Sequence, residues 1–299
     1  ISLKYNNTVY LKREDLQPIF SFKCRGAYNK ISNLTISEKA SGIIAASAGN
    51  HAQGVALSAS KLNIEALIVM PTTTPSIKID SVKKFGVKVK LYGDSFDEAY
   101  EYALMTSKKE GRVFIHPFDD PLVISGQGTV AKEIVEQTKV TPDIFFVPVG
   151  GGGLISGMSI YLKEHYPNCK IYGVESEDAP TLYTSLKNKK PTSLEQVGLF
   201  VDGCAVKRIG EETFKISKEY VDDVILVSID ETCAAIKDIY EDTRVMSEPA
   251  GALAIAGMKK FILSNDVNNK KIIAINSGAN LNFDRLRHVT ERTEIGEGK

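Results

Sequence analysis

No stretch of the 299-residue chain approaches the ~20 consecutive apolar residues that a membrane-spanning helix needs. Net charge is missing too: 37 Lys+Arg stand against 37 Asp+Glu, so there is no electrostatic footprint for nucleic acid or an anionic membrane. Cysteine is sparse, and Cys24, Cys169, Cys204 and Cys233 are never paired at C-x-x-C spacing. That removes zinc-ribbon and thioredoxin motifs, and no metal site is expected. Isolated cysteines in a chain of this size read as small buried hydrophobes in a reducing compartment, the cytoplasm or an organelle after loss of a targeting segment. The chain opens Ile1-Ser2-Leu3-Lys4-Tyr5 without an initiator Met, a basic segment or an apolar segment of the secretory kind. The missing Met is what a processed or truncated product would show. Disordered, collagen-like, membrane-embedded and disulfide-stapled classes are set aside. What is left is an average globular composition, 43% hydrophobic and 25% charged, in a chain long enough for a sizeable core and for two domains.

Strand-like and helix-like stretches alternate along most of that length. Strands are expected over 43–46, 65–70, 87–91 and 113–115, with helices over 51–62, 76–85 and 96–110 between them. A second series has strands over 143–149, 171–175, 223–227 and 271–275. Strands separated by helices of this length argue for βαβ units and parallel sheets. The 143–149 strand is almost wholly apolar, as expected where helices cover both faces of a sheet. The fold class is therefore α/β, with two lobes of mainly parallel sheet flanked by helices and a ligand at the carboxyl ends of the strands. Residues 287–299 are charged and contain glycine, and read as a solvated tail or a connector.

Three strand-to-helix corners carry chemistry. The first is Gly150-Gly151-Gly152-Gly153-Leu154, directly behind the 143–149 strand and ahead of a helical pattern. Successive glycines leave no Cβ in the way, so backbone N–H groups converge on an anion at the positive end of a helix. That is a phosphate cradle, and no Walker lysine follows it. Gly150, Gly152 and Gly157 miss the last spacing of a dinucleotide fingerprint, yet Glu175 ends the next strand, so a nicotinamide oxidoreductase stays open. The second corner is Ser21-Phe22-Lys23-Cys24-Arg25-Gly26-Ala27-Tyr28. A lysine at a helix start is ordinarily solvated. Beside Arg25 and at a dipole's positive end its pKa is lowered, the state that carbonyl condensation requires. The third is Ser47-Ala48-Gly49-Asn50-His51, whose hydroxyl, amide and N–H groups suit a carboxylate or a ring oxygen. His51 stands there either as a general base or as a structural imidazole.

These corners, in this order, resemble the fold type II (tryptophan synthase β-like) pyridoxal-phosphate enzymes, and among them the catalytic domain of the threonine dehydratases (threonine ammonia-lyases). The likeness also includes Lys12-Arg13-Glu14-Asp15, Glu248-Pro249-Ala250-Gly251-Ala252 and Ser277-Gly278-Ala279-Asn280. Asn282-Phe283 and the run Arg287-His288-Val289-Thr290-Glu291-Arg292 look like the biosynthetic branch that opens isoleucine synthesis. The resemblance implies pyridoxal 5'-phosphate bound covalently to a catalytic Lys23. Its phosphate would lie in the loop of Gly150, Gly151, Gly152, Gly153 and Leu154, its ring hydroxyl on Asn50 and its pyridine nitrogen facing Ser277. Ser47, Ala48, Gly49, Asn50 and His51 would take the substrate carboxylate.

Further expectations follow from the same resemblance. They are a small amino-acid substrate, a homo-oligomer (dimer or tetramer), a larger cofactor lobe of residues 1–41 and 119–299, and a smaller lobe of 42–118. The family's C-terminal regulatory domain is expected to lie outside this sequence. Cys24 departs from the aliphatic residue usual after the lysine. The Thr-Pro-Leu stretch ahead of the family's Lys-Arg-Glu-Asp strand is not recognisable. Serine racemases resemble the chain but carry a serine at the position of Ala48, where alanine cannot move a proton. An amino-acid-sensing lobe without activity is the remaining rival.

Overall fold

Short apolar runs pair side by side into two sheets, and every strand pairing is parallel. The computed structural model describes residues 1–296. In chain order the strands are β1 (Thr8–Arg13), β2 (Ile43–Ala46), β3 (Ala66–Met70), β4 (Lys88–Leu91), β5 (Val113–Phe114), β6 (Ile144–Pro148), β7 (Lys170–Ser176), β8 (Asp223–Val227) and β9 (Lys271–Asn276). The first six helices are α1 (Lys23–Ser32), α2 (Ile36–Ser41), α3 (Asn50–Leu62), α4 (Ser76–Lys83), α5 (Phe96–Glu110) and α6 (Pro121–Gln137). The other six are α7 (Gly153–His165), α8 (Thr181–Asn188), α9 (Glu211–Tyr220), α10 (Ile229–Thr243), α11 (Pro249–Asn265) and α12 (Leu286–Gly296). Among the described residues, no helix is long and apolar enough to cross a membrane.

Residues 22–127 form one unit around the four-stranded sheet β4-β3-β2-β5. All four residues of β2 are buried, and the period of two sends them to opposite faces. Ile43 and Ala45 join Ala27 and Ile31 of α1 and Ala52, Val55 and Ala59 of α3. Ile44 and Ala46 meet Val69 and the α5 residues Ala99 and Ala103 on the other face. A strand covered twice has no polar side, which is why the run is unbroken. The sequence reading drew the boundary of this unit at 42–118. The structure starts it at residue 22, because Ala27, Ile31 and Leu34 pack into the core that β2 and α3 share.

The second unit combines residues 1–21 with the chain from Gly128 onward, around a five-stranded sheet in the order β1-β9-β6-β7-β8. Phe146 of β6 stacks with Tyr172 of β7, and both rings meet Phe261 of α11. The run from Ala250 to Met258 in α11 is buried throughout. Gly257 makes that contact possible: a Cβ there would come within 2.7 Å of Val174 Cγ1 and closer still to its Cγ2. Gly257→Ala is expected to destabilise the protein by about 1–3 kcal/mol through overpacking. Urea midpoints measure this, and a variant as stable as the parent would contradict the packing.

The segment from Arg287, expected as a solvated tail or a connector, is helical to residue 296. Val289 and Thr293 are buried, Val289 joins the main core, and Arg292 reaches Asp230 of α10 at 3.3 Å. Buried positions four apart on one turn-spaced face suffice to dock a helix whose other residues are charged. Residues 297–299 of that expectation lie outside the described residues.

Candidate active site

In a parallel sheet every strand ends on the same edge, so the corners behind β6 and β9 are neighbours: Phe146 lies beside Ala274 in the ladder. Behind β6 the chain makes its turn at residues 150–152. A Cβ at Gly150 would lie 3.0 Å from Cys204 Cα. Gly152 has φ +89°, and a Cβ there would meet Ile209 and Thr213 at 2.8 and 2.9 Å. Side chains are thus excluded by space at one position and also by backbone conformation at the other. Thr213 Oγ1 donates to Gly151 O at 2.8 Å, tying that carbonyl to α9. Gly152 caps α7 without a side-chain acceptor, and the first-turn N–H groups, including those of Gly153 and Leu154, have no partner within the helix. Buried N–H donors at a helix's positive end form an anion site.

The corner behind β9 is braced from α11. Ser277 is buried and its Oγ donates to Ala250 O at 3.3 Å. Ser247 Oγ donates to Asn276 Oδ1 at 2.9 Å, and Glu248 N donates to Gly278 O at 3.2 Å. Gly278 has Glu248 Oε1 where a Cβ would stand. This gives Glu248-Pro249-Ala250-Gly251-Ala252 a task that sequence reasoning had not assigned: it shapes the seat of Ser277.

The unit of residues 22–127 carries the other candidates. Lys23 is the first residue of α1, and its Nζ donates to Pro117 O at 2.9 Å and sits 5.3 Å from the centroid of the Phe22 ring. The Lys23 carbonyl oxygen lies 2.8 Å from the place a Cβ on Gly54 would take, so α1 begins directly against α3. Ser47, Ala48 and Gly49 form the corner between β2 and α3, with Gly49 N donating to Ser47 Oγ at 3.2 Å. Asn50 opens α3, one residue earlier than expected, and Gly49 caps it without a side-chain bond.

The imidazole of His51 serves the fold. It is buried, and Nε2 donates to Ile115 O at 2.9 Å. Burial, aided by the Lys23 charge, pushes its pKa down to about 3, so it is neutral near pH 7. Its backbone N–H remains the group suited to a carboxylate. His116 stands close to the same lysine, and burial pushes it down to about 4. Sequence reasoning missed His116 and Pro117, because nothing local links them to a lysine so far back in the chain.

Glu175, the residue that kept a nicotinamide enzyme open, is committed elsewhere. Its carboxylate accepts from the N–H groups of Leu182 at 2.7 Å and Tyr183 at 2.9 Å, at the start of α8. Burial outweighs the N–H groups of α8 and leaves its pKa at about 8. The carboxyl is engaged by the start of α8.

Residues 1–278 match the family model described as pyridoxal-phosphate dependent enzyme. The chain belongs to the pyridoxal-phosphate-dependent enzymes. Within this family it is 54% identical to the biosynthetic L-threonine dehydratase of Haemophilus influenzae, over all of this chain and 58% of that protein. It therefore spans little more than half the length of such curated relatives. The processed form of threonine deaminase isoform 2 from Solanum lycopersicum superposes with a TM-score of 0.97 at 49% identity, covering 98% of this chain and 81% of that one. Maize serine racemase gives 0.89 at 30% identity, over 100% and 91%. The residues present fit pyridoxal phosphate. In one unit a glycine turn closed to side chains and lined with helix-start N–H groups suits its phosphate and a neutral buried hydroxyl suits its ring nitrogen; the other unit by itself offers a lysine amine suited to its aldehyde. Among the described residues, no group of three His, Cys, Asp or Glu could hold a metal ion.

Proposed function

We propose that the chain dehydrates and deaminates L-threonine to 2-oxobutanoate and ammonia, and L-serine to pyruvate and ammonia, as the first step of isoleucine biosynthesis. The observation that carries this reading is the backbone likeness to threonine deaminase along almost the whole chain. Lys23 would hold the cofactor through Nζ, the N–H groups of residues 150–154 its phosphate, Asn50 its ring hydroxyl and Ser277 its ring nitrogen. Ser47, Ala48, Gly49, Asn50 and His51 would receive the substrate carboxylate through hydroxyl, amide and backbone N–H groups. Pyridoxal phosphate supplies an aldehyde that condenses with amines and a conjugated ring that takes up the electron pair left on Cα. Lys23 Nζ, as a free amine, would remove the Cα proton as general base. Ser277 would face the ring nitrogen with a neutral hydroxyl rather than a carboxylate, which would leave that nitrogen unprotonated and favour prompt loss of the β-hydroxyl. The partners in this reading are a small amino acid and further copies of the chain, as a dimer or tetramer, in the cytoplasm or an organelle.

Coupled detection of 2-oxobutanoate from L-threonine and pyruvate from L-serine tests the reading. Cofactor-loaded protein that forms neither oxoacid overturns it. One methyl separates the two substrates, and an apolar pocket discriminates by only ~1–3 kcal/mol, so both products are expected. The likeness to serine racemase raises a second outcome. Alanine at position 48 offers no proton to the far face of Cα, so L-serine should yield pyruvate without D-serine. Chiral chromatography that finds D-serine at rates comparable to pyruvate would reverse that assignment.

A further inference from the structure

The stretch behind β5 had no role in the sequence reading, yet Pro117 O is where the Lys23 amine rests. Pro117 lies in a turn closed by a side chain. His116 Nδ1 accepts from the N–H groups of Phe118 at 3.3 Å and Asp119 at 2.8 Å. A nitrogen that accepts these bonds carries no proton, and an imidazolium would lose both. The ring meets Phe118, Phe114 and Tyr100 edge-on, at centroid distances of 4.7, 6.3 and 6.4 Å, which fixes its orientation.

We propose that His116 is a positioning residue for the reactive amine: by closing the turn of residues 116–119 through Nδ1, it holds the Pro117 carbonyl where that carbonyl receives Lys23 Nζ. The inference rests on Lys23 being the cofactor-holding base and names what aims it. A carbonyl acceptor favours the ammonium over the amine, so the turn also raises the lysine's proton affinity. Titratable and charged groups near this cluster within the unit include Arg25 and Lys30 of α1, the latter paired with Asp120 at 2.7 Å, His51 of α3, Asp119 and Asp120, and Tyr100 of α5, whose hydroxyl is pushed up by burial and then by Asp119. His51 and His116 are neutral near pH 7 and add no charge beside the amine.

Two substitutions separate this from a merely structural ring. Asparagine carries Oδ1 at the branch position of histidine Nδ1 and closes the same kind of turn. Phenylalanine keeps a ring but offers no acceptor. The readout is the pH dependence of Lys23 acylation by acetic anhydride in the full chain stripped of cofactor, quantified by peptide mass spectrometry. His116→Asn should titrate as the parent does. His116→Phe should lower the apparent pKa of Lys23 by about one unit, the order expected when a charged donor loses its acceptor. If the Phe variant fails to fold, His116→Ala takes its place with the same expected shift. A Phe or Ala variant that titrates like the parent overturns the proposal, as does an Asn variant that shifts with them. Borohydride fixation of the cofactor on Lys23 in the unaltered protein tests the underlying reading separately. Its failure would sink that reading and leave the acylation result standing.

Discussion

Lys23→Ala is expected to lower L-threonine turnover by more than about a thousandfold, and borohydride should no longer fix the cofactor to the chain. One amine is asked to do two things. In the proposed function it would form the covalent hold and, as a free amine, would accept the Cα proton, a step for which a positioned base contributes roughly 10²–10⁴-fold. The two imidazoles beside it are poor substitutes for the second task, because burial holds the pKa of His51 at about 3 and that of His116 at about 4, and His116 Nδ1 already accepts from two backbone N–H groups. The bond to Pro117 O and the contact with the Phe22 ring are lost, whereas alanine suits the first turn of a helix, so folding is checked alongside turnover by a urea midpoint. A variant that folds, binds the cofactor and keeps a tenth of parental turnover would show that another group removes the proton.

A second large effect is expected on acidification. Below pH 6.5 an unfolded histidine takes up a proton, whereas folded His51 resists until about pH 3 and His116 until about pH 4. At these two groups the unfolded chain therefore binds more protons across that window, so their contribution is full above pH 6.5 and falls as pH drops. Glu175 opposes this, because its raised pKa favours proton uptake by the folded chain. Each group contributes up to ~1.4 kcal/mol per pH unit. The total reaches several kcal/mol, a large share of a typical folding free energy. Urea midpoints between pH 7.5 and 4.5 measure it. His51→Gln keeps an N–H donor at the position facing Ile115 O but cannot titrate, and should flatten the profile. A His51→Gln variant whose midpoints follow those of the parent at every pH would contradict the neutral, buried state of that imidazole.

How much of this was legible follows from how local each signal is. Residues 43–46, 96–110 and 223–227 were read with the bounds the structure gives, because the stop and start signals lie within a few residues. For α5 these are the Ser95–Glu98 capping box and Gly111 in the left-handed region. The polyglycine turn was legible because four glycines in a row serve few purposes other than clearing space around a backbone. The membership of α1 was not legible, since Ala27 and Ile31 look alike whichever sheet they cover. Glu175 was misleading for a related reason: a carboxylate at a strand end suits a ribose as well as a helix start, and only the position of α8 decides. The hold of Pro117 on Lys23 joins two turns 94 residues apart, and no periodicity encodes it.

The contact between Gly54 and the Lys23 carbonyl has a practical consequence. There Lys23 is seated by an omission, a missing methyl on another helix, and the geometry leaves no slack for restoring it. Any mutagenesis library meant to broaden substrate choice should leave position 54 untouched and vary the Ser47–Gly49 bend instead. The bend borders the proposed carboxylate pocket, whereas a bulkier residue at 54 would shift the aim of the chemistry for every substrate at once.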